Sequence, residues 1–419
     1  MTYLFNKDVN VTNQSEADEV YVRDNNKEFT SRARLKVSQV ETMWFSTFQG
    51  SISSAEWDTV TSANGTSTLD ANANMVNMTV TSDAGSKVTR QTRKVMGYIP
   101  SRPATVSMAA VWGEQPAGIR VRHGIFDDEN GAFIEVADGT KYAVIRSSVS
   151  GSVVETRVPQ SQWNRDPLNG TGPSGVTIDF EKVQLINIHY EWYGAGSVEF
   201  SLIIDGFRIR FHDFHHANEL TGPWIKTPFL PIRAEIENIT GVAGTHNFKQ
   251  LSSAMTKEGF AATSGTANNY ATPIAGRSMA VANTYYPMVS LRMKSDFLNN
   301  VIFPTYFLAA TSDSSFIGYK LIRNGTLTNA NWIDHPNVSS TAQVDTSATA
   351  ISGGTIINEG FIPVGTNPGP IRLDEGLTYQ LGRSTTTTIG DTSDIITLAI
   401  ACTSTNKTGY GSLGWIEQR

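Results

Sequence analysis

Short runs of alternating apolar and polar residues, interrupted by Gly, Asn, Asp and Pro, recur along the chain, whereas helical periodicity is hard to find. Alternation with a period of two is typical of antiparallel strands that bury one face. In residues 198–204 every second side chain is apolar, and Asp205-Gly206 leads into the similar run 207–211. Asp-Gly between two such runs predicts a hairpin with a type I′ turn, because both central residues need a positive φ. The pattern therefore predicts an all-β fold.

Further strands are predicted on both sides of this hairpin. Residues 186–192 alternate just before it, and Asp138-Gly139 joins the runs 132–136 and 142–145. Many short strands at this spacing favour a two-sheet sandwich, in which the apolar faces close against each other. Strand-like runs also occur at residues 287–293, 301–303, 306–308, 316–322, 355–357 and 395–401. They predict a second all-β domain.

Composition divides the chain into four parts. Residues 1–50 are polar and charged and contain few core candidates. We predict that they form an extended arm, which neighbouring chains hold in an assembly. The candidate contact residues of this arm are Tyr3, Phe5 and Tyr21. Residues 51–245 and 284–419 are predicted as two antiparallel, jelly-roll-like β-sandwich domains. Residues 246–283 are rich in Gly, Ser, Ala and Asn and are predicted as the connection between them.

Charge and cysteine content exclude several classes of function. The chain has 33 Lys and Arg against 39 Asp and Glu, a net charge of −6, and it has no basic cluster, so nucleic acid is not an expected partner. The one cysteine, Cys402, follows an apolar run and is interpreted as a small buried hydrophobe. No apolar run is long enough for a secretion signal or a membrane span, so we expect synthesis in a cytosol and no membrane span.

Two groups of residues are candidates for chemistry. His212, His215 and His216, close to Asp213, are weak candidates for metal ligands, and the alternative that we favour is a hydrogen-bonded strand end. Paired acids occur at residues 127–129 and at 374–375. Two carboxylates across a sugar can act as acid and nucleophile, but carboxylates in a turn usually only solvate it. We therefore expect no catalytic residues and no cofactor.

Tryptophan side chains are candidates for carbohydrate contact, because the faces of indole rings stack on sugars. Most tryptophans are expected in the core or at interfaces. Trp163 and Trp224 lie in predicted loops and are therefore the better candidates for exposed rings.

The stretch from His189 to Phe211 combines an aromatic-rich strand, a short Gly turn, an alternating strand and Asp205-Gly206. In this order of features it resembles concanavalin-like jelly rolls, such as laminin-G modules and lectin-like glucanases. Glucanases of that class carry an E-x-D-x-E strand with the nucleophile and the acid, and no segment of this chain has that pattern. The resemblance implies the jelly-roll fold and counts against hydrolase activity.

A second resemblance is carried by Ser31-Arg-Ala-Arg-Leu-Lys-Val-Ser38, Arg90-Gln-Thr-Arg93, residues 124–133, 166–175 and 227–233, and Gly414-Trp-Ile-Glu417. These segments are similar to a family of virion-associated proteins of marine tailed phages, found also in some large algal viruses. The chain departs from the family in its first segment and at His215-His216, where family members have a single His. The family offers no catalytic residues to carry over, so the resemblance implies a place in a virion.

Together these features predict a non-enzymatic structural protein of a tailed-phage virion, assembled in the host cytoplasm. We expect a tail or fibre-associated subunit, either an adaptor or a host-adhesion component. Two alternatives stay open: a capsid-surface decoration protein, and a carbohydrate-binding or carbohydrate-cleaving virion protein. The expected partners are other virion subunits, copies of the same chain in a homo-oligomer, and a host surface glycan. The low share of charged residues, 17%, suits a subunit buried among neighbours, because interface cores are depleted of Lys, Glu and Asp.

Overall fold

A computed structural model describes residues 40–100, 102–259, 265–312, 316–363, 369–373 and 379–418. Within these residues the regular structure consists of antiparallel β-strands and two short 3-10 helices, Gln160–Gln162 and Ser295–Phe297. The all-β prediction is confirmed. The same residues contain no apolar helix of membrane-spanning length.

Two sheets form the first sandwich. Its strands are β1 Val40–Thr47, β2 Trp57–Ser62, β3 Thr66–Asp70, β4 Met75–Val80, β5 Ser86–Thr92, β6 Ala104–Val111, β7 Ile119–Phe126, β8 Gly131–Ala137, β9 Thr140–Ser147, β10 Val154–Pro159, β11 Gln184–Tyr190, β12 Val198–Ile204, β13 Phe207–Phe214, β14 Ile232–Asn238 and β15 His246–Glu258. Sheet A has the order β13-β12-β11-β6-β15-β4-β3, with β1 also paired to β15, and sheet B has the order β10-β9-β8-β7-β14-β5-β2. Met108 and Ile188 of sheet A share one buried core with Val121 and Ile134 of sheet B.

The second sandwich is built in the same way. Its strands are β16 Thr266–Ala271, β17 Arg277–Met279, β18 Tyr286–Met293, β19 Val301–Thr311, β20 Ile317–Arg323, β21 Thr326–Thr328, β22 Ile333–Asp334, β23 Ala342–Asp345, β24 Ala350–Ser352, β25 Thr355–Ile362, β26 Ile371–Arg372, β27 Arg383–Ser384, β28 Thr392–Ser393, β29 Ile396–Cys402 and β30 Lys407–Gln418. Sheet C has the order β16-β30-β19-β26, with β17 also paired to β30, and sheet D has the order β22-β23-β18-β29-β20-β25. β21 pairs with β24, and β27 pairs with β28. Phe307 and Leu413 of sheet C share a second buried core with Leu291 and Leu398 of sheet D.

The two Asp-Gly hairpins predicted from the sequence are present. Asp138 and Gly139 have φ values of 52° and 69°, and Asp205 and Gly206 have φ values of 51° and 80°. Positive φ at both central residues is the requirement of a type I′ turn, so the prediction of this turn type is confirmed. The second hairpin joins β12 to β13, and Ile204 pairs with Phe207 across its turn.

The segment 246–283, predicted as a connection, contains β15, β16 and β17. β15 lies inside sheet A between β6 and β4, where Phe248 and Met255 face the buried core. Between these positions the polar residues Gln250 and Ser253 are buried as well, and a central strand with polar buried positions has the composition of a loop. The division of the chain into the predicted domains otherwise stays a prediction.

The predicted arm, residues 1–50, overlaps the described residues at its end. There, Val40–Thr47 forms β1 and pairs antiparallel with β15. Tyr3, Phe5 and Tyr21 lie outside the described residues, so their contact role stays a prediction.

A polar interface joins the two sandwiches, and we define it by Asp58, Arg93 and Asp394. Arg93 Nη1 lies 3.0 Å from Asp58 Oδ1 in the first sandwich, and Arg93 Nη2 lies 2.6 Å from Asp394 Oδ1 in the second. The Gln380 side chain donates a buried hydrogen bond of 3.0 Å to the Val95 carbonyl. Val301, at the start of β19, belongs to the buried core of the first sandwich. These contacts hold together the two sandwiches that form the walls of a cleft.

Candidate functional site

A cleft of about 660 Å³ lies between the two sandwiches. The first sandwich lines it with Tyr98, Pro100, residues 127–130, Trp192, residues 226–229 and Arg233, and the second with residues 295–300, Arg383 and residues 388–391. Its volume falls in the range of about 300–1,000 Å³ that small-molecule sites occupy. It therefore combines the size of a ligand site with polar and aromatic walls.

The turn between β7 and β8 supplies the acidic part of the cleft. Asp127 shapes the turn, because its Oδ1 accepts hydrogen bonds from the backbone N–H groups of Glu129 (2.9 Å) and Asn130 (2.8 Å). Its Oδ2 faces the second sandwich, where Arg383 Nη2 lies 3.6 Å away and Asn299 Nδ2 donates over 3.4 Å. The Asp127 carboxylate is thus occupied by structural contacts.

Asp128 and Glu129 present their side chains to solvent in the cleft. The Asp128 side chain is 62% exposed, and its Oδ1 lies 2.5 Å from Nη1 of the buried Arg233. Burial alone would raise the pKa of Asp128, but the Arg233 guanidinium outweighs it and holds the pKa below its usual range. Asp128 is therefore a carboxylate at neutral pH. Glu129 Oε2 accepts a hydrogen bond of 3.3 Å from the Ser148 hydroxyl.

Aromatic rings lie on both walls of the cleft. Trp192 is half-buried, with its Nε1 donating to the Ile225 carbonyl over 3.2 Å and its ring set edge-on to Tyr98. Burial raises the pKa of Tyr98 to about 12, so its phenol stays neutral. On the opposite wall, Phe297 of the second 3-10 helix is 41% exposed. The cleft thus offers two accessible rings, Trp192 and Phe297.

A loop of the second sandwich, residues 385–391, lines one side of the cleft and is held by its own aspartate. The Asp391 carboxylate accepts hydrogen bonds from the backbone N–H groups of Thr386, Thr387 and Thr388, at 2.7, 2.7 and 2.8 Å. Burial would raise the pKa of Asp391, but these bonds and one from the Thr386 hydroxyl hold the pKa well below its usual range. This wall therefore has a fixed shape before any ligand arrives.

Two buried arginines lie beneath the acidic turn. Arg233 bonds Asp128, donates from Nε to Gln91 Oε1 over 2.8 Å, and lies 3.2 Å from Glu235. Arg383 donates from Nε to the Leu298 carbonyl over 3.1 Å. Burial lowers the pKa of Arg383 to about 10, which leaves it a cation at neutral pH. Arg233 is thus fully engaged, whereas Arg383 Nη2 has no hydrogen-bond partner among the described residues.

The comparisons with known proteins find similarity in fold but none in sequence. No protein-family model matches it, and no curated protein matches its sequence. Its fold is similar to a glycosyl hydrolase family protein from Mycobacterium fortuitum, at 8% identity and a TM-score of 0.36 over 51% of this chain and 99% of that one. It is also similar to a glycoside hydrolase family 16 endo-glucanase from Bacteroides ovatus (9% identity, TM-score 0.34, 51% and 99% covered). A beta-1,3-glucanase from Mycobacterium marinum is a third such structure (11% identity, TM-score 0.34, 51% and 98% covered).

These comparisons correct one expectation from the sequence. We expected a protein that is not an enzyme, and this is wrong as it stands, because the similar solved structures are glycoside hydrolases. The expectation relied on the absence of short catalytic motifs. A fold can, however, bring together carboxylates that lie far apart in the sequence and therefore form no short motif. At this identity the likeness assigns no role to any residue of the chain. No comparison bears on the virion family, which stays a prediction.

The structure buries both tryptophans that the sequence favoured. Trp163 is 6% exposed, its ring centroid lies 4.3 Å from that of Phe211, and its Nε1 donates to the Val158 carbonyl. Trp224 is 5% exposed and stacks on His216 at 5.2 Å. Their expected exposure is corrected, because each loop folds back and packs its indole on a strand or a neighbouring ring. As carbohydrate contacts they stay a prediction.

The candidate metal ligands have other partners. His212 accepts a hydrogen bond from the Asn164 backbone N–H over 3.3 Å, and burial lowers its pKa to about 4. His216 Nδ1 lies 2.6 Å from the Gly196 carbonyl, and His215 Nε2 lies 3.9 Å from Asp213. Within the described residues, no group of three or more His, Cys, Asp or Glu side chains is placed to hold a metal ion. The acids at 374–375 lie outside those residues.

Sequence reasoning missed the two exposed rings of the cleft. Trp192 ends the run 186–192, which was expected to form one alternating strand, but β11 ends at Tyr190. The Gly194-Ala-Gly196 turn in the sequence could have indicated that the strand ends before Trp192. Nothing in the local sequence around Phe297 indicates that it faces another sandwich.

Proposed function

We propose that the cleft binds a carbohydrate. The observation that carries the proposal is the pairing of accessible rings, Trp192 and Phe297, with the carboxylates of Asp128 and Glu129 in one cavity of ligand size. Aromatic faces cover the apolar side of a sugar ring, while carboxylates accept hydrogen bonds from its hydroxyl groups. A few polar groups among apolar walls are typical of sites that fix a ligand's orientation.

Replacement of Trp192 by alanine tests this proposal. We expect the full chain to bind members of a glycan array, and W192A to weaken that binding by roughly tenfold or more, as truncation of a central aromatic contact does. The matched control is W332A, because Trp332 is partly exposed, stacks beside Arg292 and does not line the cleft. An array without binding, or equal effects of W192A and W332A, would contradict the proposal.

Cleavage of the bound carbohydrate is a second candidate, favoured by the presence of two solvent-facing carboxylates in the cleft. Asp128, ionised beside Arg233, fits the part of a nucleophile or base, and the acid would then be Glu129. A polysaccharide that binds is incubated with the protein and its reducing ends are counted. We expect D128N and E129Q each to abolish any release of ends. A release that survives in both variants would rule out these residues.

The virion role predicted from the sequence resemblance stays a proposal, with a tail or fibre position favoured over capsid decoration. A carbohydrate-binding cleft suits attachment to a host surface glycan. Cryo-electron microscopy of the particle tests it. Density of the chain at the tail supports adhesion, density over the capsid lattice supports decoration, and absence from the particle contradicts both.

A further inference from the structure

The charges in the cleft are unequal, and this bears on which carbohydrate it accepts. Its lining contains the carboxylates of Asp127, Asp128, Glu129, Asp296 and Asp391 against the cations of Lys226, Arg233 and Arg383. The excess is 5 − 3 = 2 negative charges. A partly enclosed site with such an excess repels an anionic ligand more than the same charges would in bulk water.

The two arginines offset this excess little toward a ligand, because both side chains are buried next to carboxylates of the lining. Arg233 is 1% exposed and bonds Asp128 and Gln91. Arg383 is 6% exposed, and its Nε bonds the Leu298 carbonyl, while its Nη2 has no hydrogen-bond partner among the described residues and lies 3.6 Å from Asp127. A uronate or sulfate group would have to displace Asp128 to form an ion pair with Arg233. Lys226 is the exposed cation of the lining, whereas Asp128, Glu129 and Asp296 are exposed carboxylates.

A second cavity adjoins the cleft at a wall that the two share. This cavity of about 220 Å³ shares Tyr98, Pro100 and Phe229 with the first and extends to Thr266 and Gln418 of the second sandwich. The shared wall is aromatic and apolar, and the far end is polar. One sugar ring would leave most of this space empty, whereas a chain of rings would pass along the shared wall.

We infer that the cleft takes an uncharged chain of several sugar rings, the interior of a neutral polysaccharide, which occupies both cavities. This inference rests on the proposed function and adds the class of ligand. It excludes single sugars and acidic polysaccharides as preferred ligands.

The experiment titrates the full chain calorimetrically with a length series of neutral glucose oligosaccharides and a matched series of glucuronic acid oligosaccharides. We expect the neutral series to bind roughly tenfold more tightly or better at low salt, with the difference shrinking as salt is added. Within the neutral series we expect affinity to rise with length until both cavities are filled.

Two variants connect these results to the structure. T266Y narrows the second cavity, so the increase in affinity with added sugar rings should disappear. In the control T266S this increase should remain. E129Q combined with D296N removes two of the three exposed carboxylates, so the ratio of neutral to acidic affinity should fall, while E359Q on the outer strand β25 should not change it.

The outcomes separate this inference from the proposed function. Tighter binding of the acidic series, or no gain with length, overturns the inference and leaves carbohydrate binding in place. A length gain that T266Y does not affect also overturns it. If neither series nor any glycan of the array binds, the proposed function fails, and the inference fails with it.

Discussion

Arg90 lies in the core of the first sandwich with its whole side chain buried. Its guanidinium lies 5.0 Å from the ring centroid of Phe48 and 5.2 Å from that of Trp57. None of its three nitrogen atoms has a hydrogen-bond partner among the described residues. Burial lowers the pKa of Arg90 to about 10, so the group remains a cation at neutral pH.

We expect R90M to stabilise the fold. Each unsatisfied N–H group costs about 1–3 kcal/mol, and the cation–π contacts return about 2 kcal/mol each, so the guanidinium is a net cost. Methionine keeps contact with both rings and has no group to satisfy. Urea unfolding followed by tryptophan fluorescence should show a gain of roughly 1–3 kcal/mol. The control R90K retains the buried charge and should give no gain; a loss in R90M would show that the ring contacts dominate.

Glu417 is a second buried charge, but a fully satisfied one. Its carboxylate accepts hydrogen bonds from Asn268, Ser340, Trp415 and both the backbone and the hydroxyl of Thr341. Burial would raise the pKa of Glu417, yet these donors outweigh it and lower the pKa below the usual 4.5. The ionised form is therefore the one that the fold stabilises.

The pH dependence of stability follows from this direction. Because the folded pKa is below the unfolded value, the contribution of Glu417 is complete above pH 4.5 and is lost as the pH falls through the lowered folded pKa. We expect E417Q to lose about 2–4 kcal/mol at neutral pH, since its amide N–H groups face donors. Urea unfolding of both proteins at falling pH should show the difference shrinking below pH 4.5. If the difference in unfolding free energy between the two proteins stayed constant with pH, Glu417 would not be the group whose ionised form stabilises the fold.

At the scale of elements, the loop of residues 385–391 is ordered by one side chain. Three consecutive backbone N–H groups converge on the Asp391 carboxylate, which leaves the loop rigid although its threonines are exposed. The φ of Gly390 is 71°, and a Cβ there would lie 2.7 Å from Gln91 Nε2, so the loop also requires glycine at this position.

We expect D391N to loosen this loop without unfolding the protein, because an amide is a weaker acceptor than a carboxylate. Hydrogen exchange of the amides of residues 386–388 should become about tenfold faster or more. D205N at the tip of the β12–β13 hairpin is the control and should leave these amides unchanged. Unchanged exchange in D391N would mean that the flanking strands β27 and β28 order the loop instead.

The elements that could be predicted from the sequence are those whose conformation depends on residues close to them in the chain. β12 spans the predicted residues 198–204, and its turn was recognisable from Asp205-Gly206. The predicted runs 301–303 and 306–308 are one strand, β19, in which Pro304 interrupts the apolar pattern at a register shift. β15 was missed because polar residues, among them Gln250 and Ser253, occupy buried positions, so its sequence lacks the apolar alternation of a strand.

The candidate site was harder to predict, because residues distant in sequence build it. Residues 127–129 were recognised as carboxylates in a turn, and the structure adds that the turn faces another sandwich. Trp163 and Trp224 were chosen for their loops, but a loop can fold back and bury its indole, as Trp163 does on Phe211. Exposure of a ring depends on tertiary packing, which the local pattern does not record.

At the scale of the molecule, the relation between the sandwiches depends on Arg93. It is 12% exposed in its side chain and joins Asp58 to Asp394, whose side chain is 1% exposed. Asn324 also donates to Asp394 over 2.8 Å. The ion pair is therefore buried between the two halves, where removal of one partner leaves the other uncompensated.

We expect R93M to uncouple the sandwiches. Loss of one partner of a buried pair costs about 3–5 kcal/mol, and here the loss falls on the interface. Differential scanning calorimetry should show two transitions in place of one cooperative transition. K320M, which removes a surface ion pair of 3.8 Å, is the control and should leave a single transition. A single transition in R93M would show that the remaining contacts between the halves are enough to couple them.

Val301 has a consequence for the rate at which a ligand enters the cleft. This residue belongs to the second sandwich but is buried in the core of the first, so widening the cleft would expose core surface to water. Proteins that close over a ligand show an observed association rate that levels off at high ligand concentration, because the closing step becomes limiting. With the walls fixed in advance, stopped-flow traces should instead be single exponentials whose rate rises linearly with ligand concentration. Differences in affinity between ligands would then reside in how fast each one leaves.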